Sequence, residues 1–108
     1  MRNYLKKALQ IVALNISNNQ FDVNMFAREL GVSQTLLFTK IKAWANITPN
    51  EFIIEMRMKR AIQLLEQSEI NISEVSDRVG FKDPKYFRKI NQLLPTQFTS
   101  QFLKRNTI

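Results

Sequence analysis

Lys82, Lys85, Arg88 and Lys89 form a dense run of cationic hydrogen-bond donors, and the last three have the spacing that puts side chains on one helix face. An arginine fork can bridge O6 and N7 of guanine, while a lysine grips phosphate as a point charge. Earlier in the chain Gln34, Thr35, Phe38, Thr39 and Lys42 repeat that helical spacing with milder chemistry. Gln and Lys suit adenine and guanine edges, and Phe or a Thr methyl suits the thymine methyl. Bond-breaking chemistry has much less to work with. The chain has no histidine and no cysteine, which closes the imidazole, thiol and disulfide routes and removes the usual zinc ligands. Glu51/Glu55 and Glu66/Glu69 lack a partner base, a glycine-rich phosphate loop or a cofactor motif beside them. They read as caps and solvated surface. The expectation is a binding module and not an enzyme, with no cofactor, no metal and no small-molecule pocket.

Charge points to the class of partner. The 108 residues carry 16 Lys and Arg against 9 Asp and Glu, a net charge of +7, and the pI is about 10.1. Such a balance favours a polyanion, nucleic acid before acidic membrane. The excess is segregated. Lys40, Lys42, Arg57, Lys59 and Arg60 outnumber Glu51 and Glu55 in residues 31–60, and residues 81–108 hold six cations against Asp83 alone. Between them, Glu66, Glu69, Glu74 and Asp77 face only Arg78. Hydrophobic content of 44% with 23% charged residues describes a folded domain. No apolar run approaches the ~18 residues a membrane span needs, and no signal peptide is visible. A cytoplasmic location is the simplest expectation, including the cytoplasmic end of a membrane-bound regulator.

The elements that must position these residues are helices. Two glycines, three prolines and no long alternating pattern argue against strands. Leu5, Ala8, Leu9, Val12, Ala13 and Ile16 make an amphipathic stripe over residues 3–18, broken by Asn18-Asn19-Gln20. Asp22 caps a short helix carrying Val23, Phe26, Ala27 and Leu30, and Gly31 stops it. Ser33 caps the next, which runs to about Ala45 with Leu36, Leu37, Ile41 and Trp44 as the expected buried set. Thr48-Pro49-Asn50-Glu51 is a capping box with proline at the first helical position. It starts a long helix to about Gln67, with Phe52, Met56, Ala61, Leu64 and Leu65 on its apolar side. Asn71 caps a short helix bearing Ile72, Val75, Ser76 and Val79, stopped by Gly80. Asp83-Pro84 opens another with Phe87, Ile90 and Leu94, ended by Pro95, and a last helix is expected near residues 99–105. The fold class is all-α, about seven helices.

The two halves echo each other. Asp22, Ala27 and Gly31 correspond to Asn71, Ser76 and Gly80 at an offset of 49 residues. Beyond the glycines the offset becomes 50, pairing Ser33 with Asp83, Leu37 with Phe87 and Phe52 with Phe102. Each half is a short helix, a glycine turn and a second helix, the helix-turn-helix arrangement. The small residues Ala27 and Ser76 let the paired helices approach. The division expected is residues 1–47 and 68–108 as two such subdomains, joined by a linker helix over 48–67.

The segments Ser33 to Ala43, Thr48 to Ile53 and Arg57 to Leu65 resemble the DNA-binding domain of the AraC/XylS family. So does Asn71 to Phe87, whose stretch from Ile72 is the most specific of them. Within the family, the wording is most similar to output domains at the C-terminal end of bacterial hybrid two-component regulators. The resemblance implies seven helices in two helix-turn-helix subdomains, whose second helices enter successive major grooves of promoter DNA. Grooves one turn apart lie roughly 34 Å from each other, which suits such a pair. Three departures stand out. Asn46 occupies a usual glycine position, and Thr39 replaces a usual basic residue. Near the end, Asn91, Thr96 and Thr99 stand ungapped where the family tends to have Phe, Gly and Pro, while a four-residue deletion would instead set Pro95-Thr96-Gln97-Phe98 over the family's Pro-x-x-aromatic segment. The ungapped register keeps Phe102 in step with Phe52.

Taken together, base reading is assigned to Gln34, Thr35, Phe38, Thr39, Lys42, Lys85, Arg88 and Gln92. Phosphate contacts fall to Ser33, Lys40, Lys82 and Lys89. Competing readings stand beside these. Each side chain on the first recognition helix also reads as part of a solvated face, and Phe38 equally as a core or interface residue. Asp83 reads as a cap before a cytosine reader, and Trp44 and Phe87 as core before stacking platforms. Arg57 is a candidate for an internal pair with an acidic side chain. Lys59 and Arg60 read as surface charges. The partner expected is double-stranded promoter DNA, with control or dimerisation through a sensor or receiver region absent from this chain, and RNA polymerase as a further partner. The rival class is a helical protein-interaction module whose DNA affinity is only non-specific.

Overall fold

The computed structural model describes residues 2–67 and 70–89, with side chains from Tyr4 onward. Five helices run α1 Arg2–Leu14, α2 Val23–Leu30, α3 Gln34–Ala45, α4 Pro49–Gln67 and α5 Ile72–Arg78. A sixth helical stretch, α6, covers residues 84–89. No strand occurs among the described residues. The expected helix at 99–105, the positions of Ile90, Leu94, Pro95 and Phe102, and the divergent Asn91, Thr96 and Thr99 lie outside them.

Local chemistry starts each helix where the sequence places a cap. The Met25 amide donates to Asp22 Oδ1 (2.9 Å), the Leu36 amide to Ser33 Oγ (3.0 Å) and the Glu74 amide to Asn71 Oδ1 (2.8 Å). Each bond satisfies one of the orphan donors of a helix start. At α4 both arms of the capping box are made. The Thr48 amide donates to Glu51 Oε1 (2.9 Å), and the Glu51 amide donates to Thr48 Oγ1 (3.1 Å). Glu74 does not return such a bond in any described contact; it pairs with Arg78 one turn on, at 3.8 Å.

The two glycine turns are built alike. Gly31 has φ +80° and Gly80 has φ +83°. The Val32 amide reaches back to the Ala27 carbonyl (3.1 Å), and the Phe81 amide to the Ser76 carbonyl (3.0 Å). The glycine amides bond the next carbonyls, Arg28 and Asp77, each at 3.1 Å. Both are Schellman stops, in which a left-handed residue closes the last helical turn. Asn46 also adopts the left-handed conformation, φ 59°, and ends α3 with its amide on the Lys42 carbonyl. A short polar side chain tolerates that region better than other non-glycines.

Two apolar cores form along this frame. The first gathers Ala8, Val12, Phe21, Phe26, Leu37, Ile41, Phe52 and Ile53 with their neighbours. The second gathers Met58, Ala61, Leu64, Val75, Val79, Phe81 and Phe87. Helix α4, about 28 Å long at 1.5 Å per residue, serves both, changing core between Ile53 and Met58. Ala27 and Ser76 are buried where α2 and α5 meet their neighbours.

Several expectations on burial are corrected. Helix α1 ends at Leu14, short of residue 18, because Asn15 turns its Nδ2 back onto the Ile11 carbonyl (2.8 Å) and competes with helix continuation. Ala13, expected on the buried stripe, is exposed while Ile11 is buried. Leu36, expected in the core, is 43% exposed. Along α3 the buried residues are Leu37, Ile41 and Ala45, a narrow stripe that leaves Leu36 on the open side. Met56 and Leu65 are half-buried, while the neighbouring Ile53 and Met58 fill the two cores.

Candidate nucleic-acid interface

Helix α3 presents an exposed strip of side chains because its core stripe is narrow. Gln34, Thr35, Phe38, Thr39 and Lys42 are all exposed, and at roughly 100° per residue they share an arc of roughly 140°. Phe38, open to either a core or a surface role on sequence, is 46% exposed. Its ring stands on the strip. Thr39 Oγ1 donates to the Thr35 carbonyl (3.1 Å), which fixes the hydroxyl and leaves the methyl group outward-facing chemistry for this position. Gln34 Nε2 donates to Asn24 Oδ1 (3.3 Å), tying the start of α3 to α2. Ser33 Oγ accepts the Leu36 amide and retains its own proton to donate.

Lys40 lies apart from this strip. It is half-buried, with Nζ 4.2 Å from the centre of the Tyr4 ring and 5.9 Å from that of Trp44. The cation is drawn toward the aromatic faces of α1 and α3. An edge position of this kind suits a groove wall better than a base edge. Trp44, expected in the buried set, is half-buried and packs against the first core, with Ala45 buried in its place.

In the second unit, Asp83 organises the start of α6. Its Oδ1 accepts the Lys85 amide (2.9 Å), and its carbonyl accepts the amides of Tyr86 (3.1 Å) and Phe87 (3.3 Å). Asp83 is engaged as a cap. Phe87 is fully buried, with its ring 5.4 Å from that of Phe81, so the residues around it on the other face turn outward. Lys82, Lys85, Arg88 and Lys89 are all exposed. Gln92 lies outside the described residues.

The offset of 50 brings these two surfaces into register. Leu37 and Phe87 are the fully buried anchors, and next to them Leu36 and Tyr86 are exposed to nearly the same degree, 43% and 44%. The exposed Thr35, Phe38 and Thr39 correspond to Lys85, Arg88 and Lys89. Leu36, which its type assigns to the core, and Tyr86 are apolar members of the two surfaces. Their equivalence in the repeat was the signal available. Of the linker-helix cations, Arg60 is exposed and Lys59 half-buried. Both line an open groove with Ala13, Ile16, Met56 and Gln63, and burial lowers the Lys59 pKa from its ordinary value. The described partner of Arg57 is the Asn18 carbonyl, which receives a bond from Nη2 at 2.9 Å, a backbone acceptor where an acidic side chain was expected. No described helix is long and apolar enough to cross a membrane.

Comparison with known proteins adds to this geometry. A family model described as a helix-turn-helix domain matches residues 26–102. Over 101 residues the chain is 59% identical to Histidine kinase P4 of Formosa agariphila; the match takes in 94% of this chain and 7% of that protein. The fold resembles the C-terminal domain of the two-component response regulator yesN from Fusobacterium nucleatum. The TM-score is 0.77 at 23% identity, over 87% of this chain and 99% of that one. A transcriptional regulator from Chromobacterium violaceum, with an AraC-type DNA-binding domain, gives a TM-score of 0.74 at 25% identity. That match covers 85% of this chain and 83% of the other.

Proposed function

The chain belongs to the AraC/XylS family of double helix-turn-helix DNA-binding domains, and we propose that it reads promoter DNA as the output module of a bacterial two-component transcription regulator. The observation that carries this reading is the register of the two exposed strips, each set beside a fully buried anchor, Leu37 or Phe87. Two subdomains, residues 1–47 and 68–108, joined by the helix over 48–67, lay α3 and α6 into successive major grooves. Gln34, Thr35, Phe38, Thr39 and Lys42 read bases in one groove, and Lys85, Arg88 and Gln92 in the next. Ser33, Lys40, Lys82 and Lys89 hold phosphates along the groove walls and give orientation without sequence information. The match to a small part of a histidine kinase supports a longer regulator with sensor and receiver regions, through which dimerisation and control are exerted. RNA polymerase is the partner such an output module would engage once bound, and the working location is the cytoplasm.

The test is a fluorescence anisotropy competition between a selected site and random duplex DNA. Arg88→Ala is expected to cost about 1–3 kcal/mol on the selected site and to relax the preference at a single base position. Equal affinity of the unaltered chain for every DNA of every composition would overturn sequence reading and leave the protein-interaction module as the better description.

A further inference from the structure

Arg57 stands at the boundary between the two cores and touches both units. It is nearly buried, at 8% exposure. On one side its Nη2 donates to the Asn18 carbonyl (2.9 Å), in the turn that leaves α1 of the first unit. On the other side its guanidinium carbon lies 6.0 Å from the centre of the Phe81 ring, in the turn of the second unit. Gly80 closes the same joint. A Cβ at Gly80 would fall against the Ile16 carbonyl oxygen and lie 3.1 and 3.2 Å from Arg57 Nε and Cζ. Ile16 itself packs against both cores.

The chemistry at this joint is costly for a packing residue. Arg57 Nε is buried with no hydrogen-bond partner among the described residues, and burial lowers the pKa of the guanidinium from its ordinary value. An apolar side chain of similar volume fills such a place at lower desolvation cost. What an apolar chain lacks is direction. A planar guanidinium holds one acceptor and one ring face at fixed angles. Here the acceptor belongs to the first unit and the ring to the second.

We propose that Arg57 is the positioning residue that sets the orientation of α3 relative to α6, and so the separation and helical phase of the two DNA boxes read at once. This rests on the DNA-reading role above. One base pair added between boxes turns the second groove by roughly 34° about the duplex, since a turn takes 10–10.5 base pairs. A pair of recognition helices held rigidly accepts one separation, and a loosely hinged pair accepts several.

The absence of cysteine makes the joint directly measurable. Spin labels on Ala43→Cys in α3 and Lys85→Cys in α6 report the distance between the two helices by double electron–electron resonance, without DNA. The unaltered joint is expected to give a narrow distribution, and Arg57→Leu one about twofold broader, as domains lacking a large mutual interface move relative to each other. Arg57→Lys keeps a donor for Asn18 and should restore part of the narrowness. If circular dichroism finds the Leu variant unfolded, Arg57→Met, which likewise has no donor, takes its place. In a second arm, the unlabelled chain is put through selection from randomised duplex DNA. It should enrich paired boxes at one separation, where the folded apolar variant at Arg57 enriches several. A distribution unchanged in width and centre in every folded variant, or one enriched separation common to all, overturns the proposal. Failure of the unaltered chain to enrich any sequence would count against DNA reading, while the resonance measurement still decides the joint.

Discussion

The two helix-turn-helix units are built to one local plan and placed in two different surroundings. Both turns are Schellman stops with a glycine near φ +80°. Around Gly31 nothing among the described residues lies within 4 Å of where a Cβ would be, whereas at Gly80 the Ile16 backbone and the Arg57 side chain already occupy that space. The first glycine answers only to backbone conformation. The second also answers to the packing of one unit on the other. The reading surfaces differ as well. Thr35, Phe38 and Thr39 are uncharged, while their counterparts Lys85, Arg88 and Lys89 are all cationic. On the proposed reading this is a division of labour, in which α3 would supply shape and methyl contacts and α6 the greater share of charge neutralisation.

The largest effect that could break this comparison is on stability. Gly31→Ala should cost about 1–2 kcal/mol, the strain of a left-handed Cβ. Gly80→Ala should cost about 2–5 kcal/mol, since overpacking adds about 1–3 kcal/mol to that strain. Equal shifts of the urea midpoint in the two variants would show that the joint at Gly80 yields freely. The next effect concerns the caps. Ser33→Ala and Asn71→Ala should each cost about 1 kcal/mol, a similar loss in both units because both side chains accept an amide three residues on. A loss confined to one of them would mean that tertiary packing, not the cap, holds the other helix start.

Salt dependence is the finest of these tests. Each phosphate contact removed should lower the slope of log affinity against log salt by about 0.9. Lys82→Ala and Lys89→Ala should therefore flatten the slope, and Thr35→Ala should leave it unchanged while weakening discrimination. A flattened slope in the Thr35 variant, or none in the lysine variants, would erase the difference drawn between α3 and α6.

Much of this was legible in the chain, and the reason is range. Asp22, Ser33, Asn71 and the Thr48–Glu51 box act over three residues, so their residue types announce their bonds. Leu37 and Phe87 were legible as anchors because the repeat pairs them. Leu36 was not. A leucine one position from the stripe looks like core until the narrow seam of α3 leaves it outside. Lys40 reads as a phosphate contact from its type and position, but nothing near it in sequence announces the Tyr4 ring across on α1.

By itself, then, the amino-acid sequence determined the described helices and their caps, both glycine turns, the repeat and the excess of positive charge, all consequences of short-range bonding and composition. Only the tertiary structure decided how the two units meet. Arg57 finds its acceptor 39 residues away in Asn18, and Gly80 finds its limit at Ile16. Such contacts depend on three segments arriving at one place, and a side chain carries no mark of which distant backbone it will touch.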